Sequence, residues 1–127
     1  MRLMIAAVAV GLGLTAAPAL AGEAQQLYVE NCSACHQVNG QGIPGAFPGL
    51  VGNKVTLGDP VEPVTRVLKG RGGMPAFASE LSDLEVAQVL TYVRGAWGNR
   101  GKPVLPAQVA ALRVGPRRDS AKTVPTR

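Results

Sequence analysis

Residues 32–36 read Cys-Ser-Ala-Cys-His, and the 127-residue chain holds no other cysteine and no other histidine. Two thiols three positions apart on a helical turn point the same way, so each is placed to add to one vinyl group of a single porphyrin. The next residue, His36, then falls beneath the ring with an imidazole nitrogen to offer the iron. The spacing predicts one covalent haem c on Cys32 and Cys35, with His36 as an axial ligand. Other uses of a Cys pair fit less well. A thioredoxin-like redox pair needs βαβ surroundings that the pattern lacks. A structural zinc site needs four ligands, and only Cys32, Cys35 and His36 stand among the usual nitrogen and sulfur donors. A plain disulfide remains the alternative in an oxidising compartment.

The compartment is read from the other end of the chain. Met1-Arg2 precedes an apolar run from Leu3 to Leu14, followed by Pro18 and Ala19-Leu20-Ala21 before Gly22. That is the three-part layout of a secretory leader, so residues 1–21 are expected to be a signal peptide cut after Ala21, with export to the periplasm. The apolar run has about 12 residues against the roughly 20 that a spanning helix needs, so no membrane span is expected after cleavage. Cleavage also removes Met1 and Met4 and leaves Met74 as the single methionine.

Charge is unevenly spread. Residues 23–99 hold five Lys/Arg against seven Asp/Glu, whereas residues 100–127 hold seven Lys/Arg against Asp119 alone. The positive net charge of +5 therefore sits in the tail and says little about the rest. Export and the absence of aromatic interleaving argue against a nucleic-acid partner.

Between Glu23 and Asn99 the pattern is all-α, with three to four short helices separated by long Gly/Pro loops and no alternating run that calls for a sheet. Ala24, Leu27 and Tyr28 share one face of a first helix expected over Glu23 to about Ser33. Gln37 to Asp59 is glycine- and proline-rich and is expected to be a loop wrapped around the haem. A short helix follows from Pro63 to a stop at Gly70. The strongest helix begins at Ser82, where Ser82 and Glu85 make a capping box and Val86, Val89, Leu90, Val93 and Trp97 form a stripe. The expected organisation is a haem domain over residues 22–99 and a basic, proline-containing, partly disordered tail over 100–127, in which Ala107 to Arg113 has the composition of one more short helix.

Met74 is placed between Gly72, Gly73 and Pro75, in a loop too kinked for a core helix and stiff enough to aim one side chain. With His36 the only histidine, Met74 is the candidate for the second iron ligand. A five-coordinate iron open to a small ligand, as in a sensor or peroxidase, is the alternative. His and Met ligation together leave no open coordination position and favour the ferrous state, which points to outer-sphere electron transfer.

These residues resemble the class I c-type cytochromes, over about Glu23 to Asn99. The resemblance rests on Cys32-x-x-Cys35-His36, on Gly42-Ile-Pro-Gly-Ala-Phe-Pro48-Gly-Leu50-Val-Gly-Asn53, on Gly73-Met74-Pro75-Ala76-Phe77 and on the helix from Leu81 to Arg94. It implies the small cytochrome c fold, with the Pro48 carbonyl accepting a hydrogen bond from His36, Leu50 packing on the ring, and an aromatic contact between Tyr28 and Tyr92 where the terminal helices cross. Within the class, the motifs are similar to cytochrome subunits or domains that serve bacterial periplasmic dehydrogenases. That implies a non-enzymatic respiratory carrier, taking single electrons from a dehydrogenase and passing them to an oxidase or another cytochrome. A permanent subunit of a dehydrogenase complex, with the tail as docking arm, is the rival. Lys54, Arg66, Lys69 and Arg71 are candidates for a basic rim that steers an acidic partner. Asn53, Lys54, Arg66 and Trp97 are unranked candidates for the haem propionates.

Overall fold

The computed structural model describes residues 17–114. The leader expected at residues 1–21 lies outside the described residues up to Ala16, as does the disorder expected beyond Val114. The described residues hold six helices: α1 Ala17–Asn31, α2 Ser33–His36, α3 Lys54–Leu57, α4 Val61–Lys69, α5 Asp83–Gly95 and α6 Pro106–Leu112. Pairing of extended residues is confined there to two isolated bridges, Ile43 with Phe47 and Arg71 with Met74. Four helices of useful length match the three to four expected; α2 and α3 are single turns.

The helix starts follow from local chemistry. Ser82 caps α5 by accepting from Glu85 N at 3.1 Å, and the Glu85 carboxylate accepts from Ser82 N at 2.8 Å. These two bonds satisfy amide groups that the helix itself leaves without partners. Asn53 does the same for α3, its Oδ1 accepting from Val55 N at 2.9 Å and Thr56 N at 3.2 Å. That cap is why a turn of helix forms inside the stretch expected to be loop. Within the described residues α1 already includes Ala17–Gly22, ahead of the expected Glu23, a stretch whose alanines favour helix. Leu20 on that extension is exposed.

α1 packs on α5, α5 on α6, and α4 on both α5 and α6. The core is Tyr28 from α1, Val64, Val67 and Leu68 from α4, and Val86, Ala87, Val89, Leu90 and Val93 from α5. Burying each large aliphatic side chain contributes about 1.5–3 kcal/mol. Val104 and Val109 belong to the same cluster, so packing runs past the Asn99 boundary expected for the domain. Two arginines fasten this extension. Arg94, 2% exposed, donates to Lys102 O at 2.7 Å, Thr56 O at 2.6 Å and Gly58 O at 3.1 Å. Arg113 pairs with Asp83 at 2.6 Å and donates to the carbonyls of Leu81 (2.8 Å) and Ala78.

Candidate cofactor site

α1 and α2 meet at Cys32. The Cys32 amide closes the last turn of α1 on Tyr28 O at 2.9 Å, and Cys35 N and His36 N both return to Cys32 O, at 3.2 and 3.0 Å. This one turn carries both thiols, which are unbonded and half-buried. Burial, and after it the nearby Cys35, pushes the Cys32 thiol up to about 11. Gln37 ends α2 in the left-handed region, at φ 67°. Its carbonyl accepts from the Tyr28 hydroxyl at 2.6 Å, which anchors the motif to the core.

His36 Nδ1 lies 2.8 Å from Pro48 O. A carbonyl can only accept, so Nδ1 carries the hydrogen, and in the neutral ring the lone pair is then on Nε2. The Pro48 carbonyl is placed by a tight reversal. Ile43 N donates to Phe47 O at 2.9 Å and Phe47 N to Ile43 O at 2.8 Å, while Gly42 N reaches His36 O at 2.9 Å. A Cβ at Gly42, whose φ is 65°, would overlap Phe47 O and the Pro48 carbonyl. Only glycine fits there. Leu50 is half-buried against the core, with its amide on Gly40 O at 2.7 Å.

Met74 sits in a reversal at the end of α4. Arg71 and Met74 exchange two backbone bonds of 3.0 Å, and Phe77 N returns to Val67 O at 2.9 Å. Its side chain is half-buried and packs against the same core cluster as Cys32 and Leu50. Cys32, Cys35, His36 and Pro48 are thus brought together by direct bonds or adjacency, and Met74 and Leu50 join them through the core.

The residues present fit a haem. Two thiols share a turn, one imidazole nitrogen is left with a lone pair, and a soft thioether stands in a tied loop. Ile43 and Phe47 turn apolar side chains to the outside, at 42% and 38% exposure. The Nε–H of Arg66 is buried with no hydrogen-bond partner. A buried donor left open in this way is costly unless an acceptor such as a carboxylate meets it.

The family described as "Cytochrome C oxidase, cbb3-type, subunit III" matches residues 19–93. The chain belongs to this cytochrome c family. The family is one of electron-transfer c-type cytochromes, which bind covalent haem c with its iron. It is 36% identical over 101 residues to the gluconate 2-dehydrogenase cytochrome c subunit of Pantoea cypripedii, covering 68% of this chain and 23% of that one. It is 37% identical over 87 residues to cytochrome c-552 of Thermus thermophilus, 56% of this chain and 66% of that one. Cytochrome c6 of Leptolyngbya boryana is 41% identical over 71 residues, 54% of this chain and 82% of the other. The cytochrome spans less than a quarter of the length of the gluconate dehydrogenase subunit. Among its described residues, no helix is long and apolar enough to cross a membrane.

Sequence reasoning missed Asn99 and Arg94 as contributors to this site and named Trp97 only as an unranked candidate for the propionates. Trp97 Nε1 donates to Val38 O at 3.1 Å, Asn99 bonds the Leu50–Gly52 segment, and Arg94 holds α3. The one advance signal was the cluster of Gly95, Gly98 and Gly101 around Trp97 and Asn99, which marks an irregular turn without saying what it grips.

Proposed function

We propose that Cys32 and Cys35 bear the two thioether links, that His36 and Met74 are the axial ligands, and that Pro48 and Leu50 support the His36 side of the ring. The observation that carries the reading is the His36 Nδ1–H to Pro48 O bond beside two unbonded thiols. It fixes the tautomer, aims Nε2 and makes the imidazole a more basic ligand. When bound, haem c supplies a one-electron ferric/ferrous couple. The chain's own part is to hold the imidazole and thioether so that little moves between the two charge states and water is kept from the ligands.

The cytochrome acts in the periplasm after removal of residues 1–21, taking single electrons from a dehydrogenase and passing them to an oxidase or a second cytochrome of a respiratory chain. The likeness to a gluconate 2-dehydrogenase subunit supports a dehydrogenase as donor. The same likeness favours a second reading, a permanent subunit of such a complex; co-purification of a donor through salt washes separates it from a free shuttle.

The test of the site is a haem stain and intact mass of the secreted protein, with an absorption spectrum of its ferric form. One covalent haem and a weak sulfur-to-iron band toward the red, lost in Met74→Ala, are expected. A mass without haem refutes the attachment, and a native spectrum without the band refutes Met74.

A further inference from the structure

The turn that follows α5 is unusually constrained. Trp97 stands at φ 55° and Gly98 at φ 85°, so a bulky aromatic occupies the left-handed region. Such a conformation persists only where the surroundings over-determine it. Here they do. The Trp97 ring packs edge-on to Tyr28 and Tyr92, with centroids 5.1 and 5.7 Å away, and covers Gly40 so closely that a Cβ there would enter it. Its Nε1–H holds Val38 O at 3.1 Å.

Two residues on, Asn99 is 7% exposed and uses both ends of its amide. Oδ1 accepts from Gly52 N at 2.9 Å, and Nδ2 donates to Leu50 O at 3.2 Å and Val93 O at 2.9 Å. A third tie, Leu50 N to Gly40 O at 2.7 Å, joins the two gripped segments to each other. One segment leaves His36 as residues 37–40. The other leaves Pro48 as residues 49–52. The hook at 97–99 therefore grips the chain on both sides of the His36–Pro48 hydrogen bond from a single rigid helix end.

We infer that Asn99 and Trp97 are positioning residues for the axial imidazole, acting through the two loops to hold the Pro48 carbonyl against His36 Nδ1–H and so to set the reduction potential. The inference rests on the assignment of His36 as ligand. A looser carbonyl withdraws less of the Nδ1 hydrogen, makes the imidazole a poorer donor and stabilises ferric iron less, so loss of the hook raises the midpoint potential.

The test uses haem-loaded protein with Asn99→Ala, the uncharged Asn99→Ser, which keeps one short hydroxyl, and Val109→Ala as a destabilised control remote from the loops. Two quantities are read: the hydrogen-exchange rate of His36 Nδ1–H by NMR and the midpoint potential. Asn99→Ala should exchange at least tenfold faster and titrate at a higher potential, Asn99→Ser should shift both in the same direction by no more, and Val109→Ala should leave both at the wild-type value. Should Asn99→Ala fail to fold, Asn99→Ser against Val109→Ala decides alone. Asn99 variants that match the control in both readouts overturn the inference, whereas a wild-type protein with no His36 Nδ1–H in the ring-shifted region of a haem ligand would overturn the ligand assignment instead.

Discussion

Replacing Arg113 by methionine removes a cation whose side chain is 1% exposed and which holds three partners at once: Asp83 Oδ1, Leu81 O and Ala78 O. Asp83 is 10% exposed in its side chain, so its charge stays in a poorly solvated place after the cation has gone. Breaking one side of a buried ion pair costs about 3–5 kcal/mol. Asp83 stands at the first position of α5, where the helix dipole favours a negative charge by roughly 0.3–1 kcal/mol and returns part of the loss. Methionine refills the volume of the stem, which avoids a cavity. The net expectation is a loss of about 3 kcal/mol, a large part of the roughly 5–15 kcal/mol that such domains possess. Guanidinium denaturation of the haem-loaded protein measures it, with Asp83→Asn and the double variant completing a cycle. The double variant should recover at least about 1 kcal/mol relative to the sum of the singles. A loss under about 0.5 kcal/mol for Arg113→Met, or strict additivity, would show that residues 100–114 do not lean on this clamp.

Two further outcomes follow from single contacts. Burial, with smaller contributions from Cys32 and Tyr92, raises the Tyr28 hydroxyl well above its ordinary value, so the folded state favours the neutral phenol. That stabilisation is complete below about pH 10 and is lost as pH rises beyond it. Tyr28→Phe, which also forfeits the bond to Gln37 O, should be about 1 kcal/mol less stable at neutral pH and show a shallower alkaline decline; equal slopes in wild type and variant would refute the assignment. Gly42→Ala should cost at least about 1 kcal/mol and weaken the His36–Pro48 bond, because its Cβ overlaps two carbonyls at positive φ; unchanged thermal melting and an unchanged Nδ1–H signal would count against that.

Much of this was legible because it depends on neighbours in the chain. The Cys32–His36 turn, the Ser82–Glu85 box and the Met74 reversal are each set by residues within four positions of one another, so their meaning travels with the local sequence. Asn53 was a local signal too, but in so glycine-rich a stretch it was outvoted, and α3 was missed. The buried arginines were illegible for another reason. Arg94 and Arg113 entered only the charge count, and what buries them is a set of carbonyls 8 to 38 positions away that only the finished fold assembles. The boundary at Asn99 was misplaced for the same cause. Proline and charge made residues 100–114 look like a tail, while two valines at 104 and 109 were enough to seat them.

Among the described residues α5 touches α1, α3, α4 and α6, and α4 also meets α3 and α6. α1, α3, α4 and α6 thus share one neighbour. Fluctuations that lift α6, or open the reversal at Met74, can proceed without releasing the rest, and the amides of residues 86–93 should be the last in the molecule to exchange with deuterium. The arrangement confines breathing to the edges of the molecule, while the helix whose end carries the Trp97–Asn99 turn, and with it the ties to residues 38 and 50–52, stays shut.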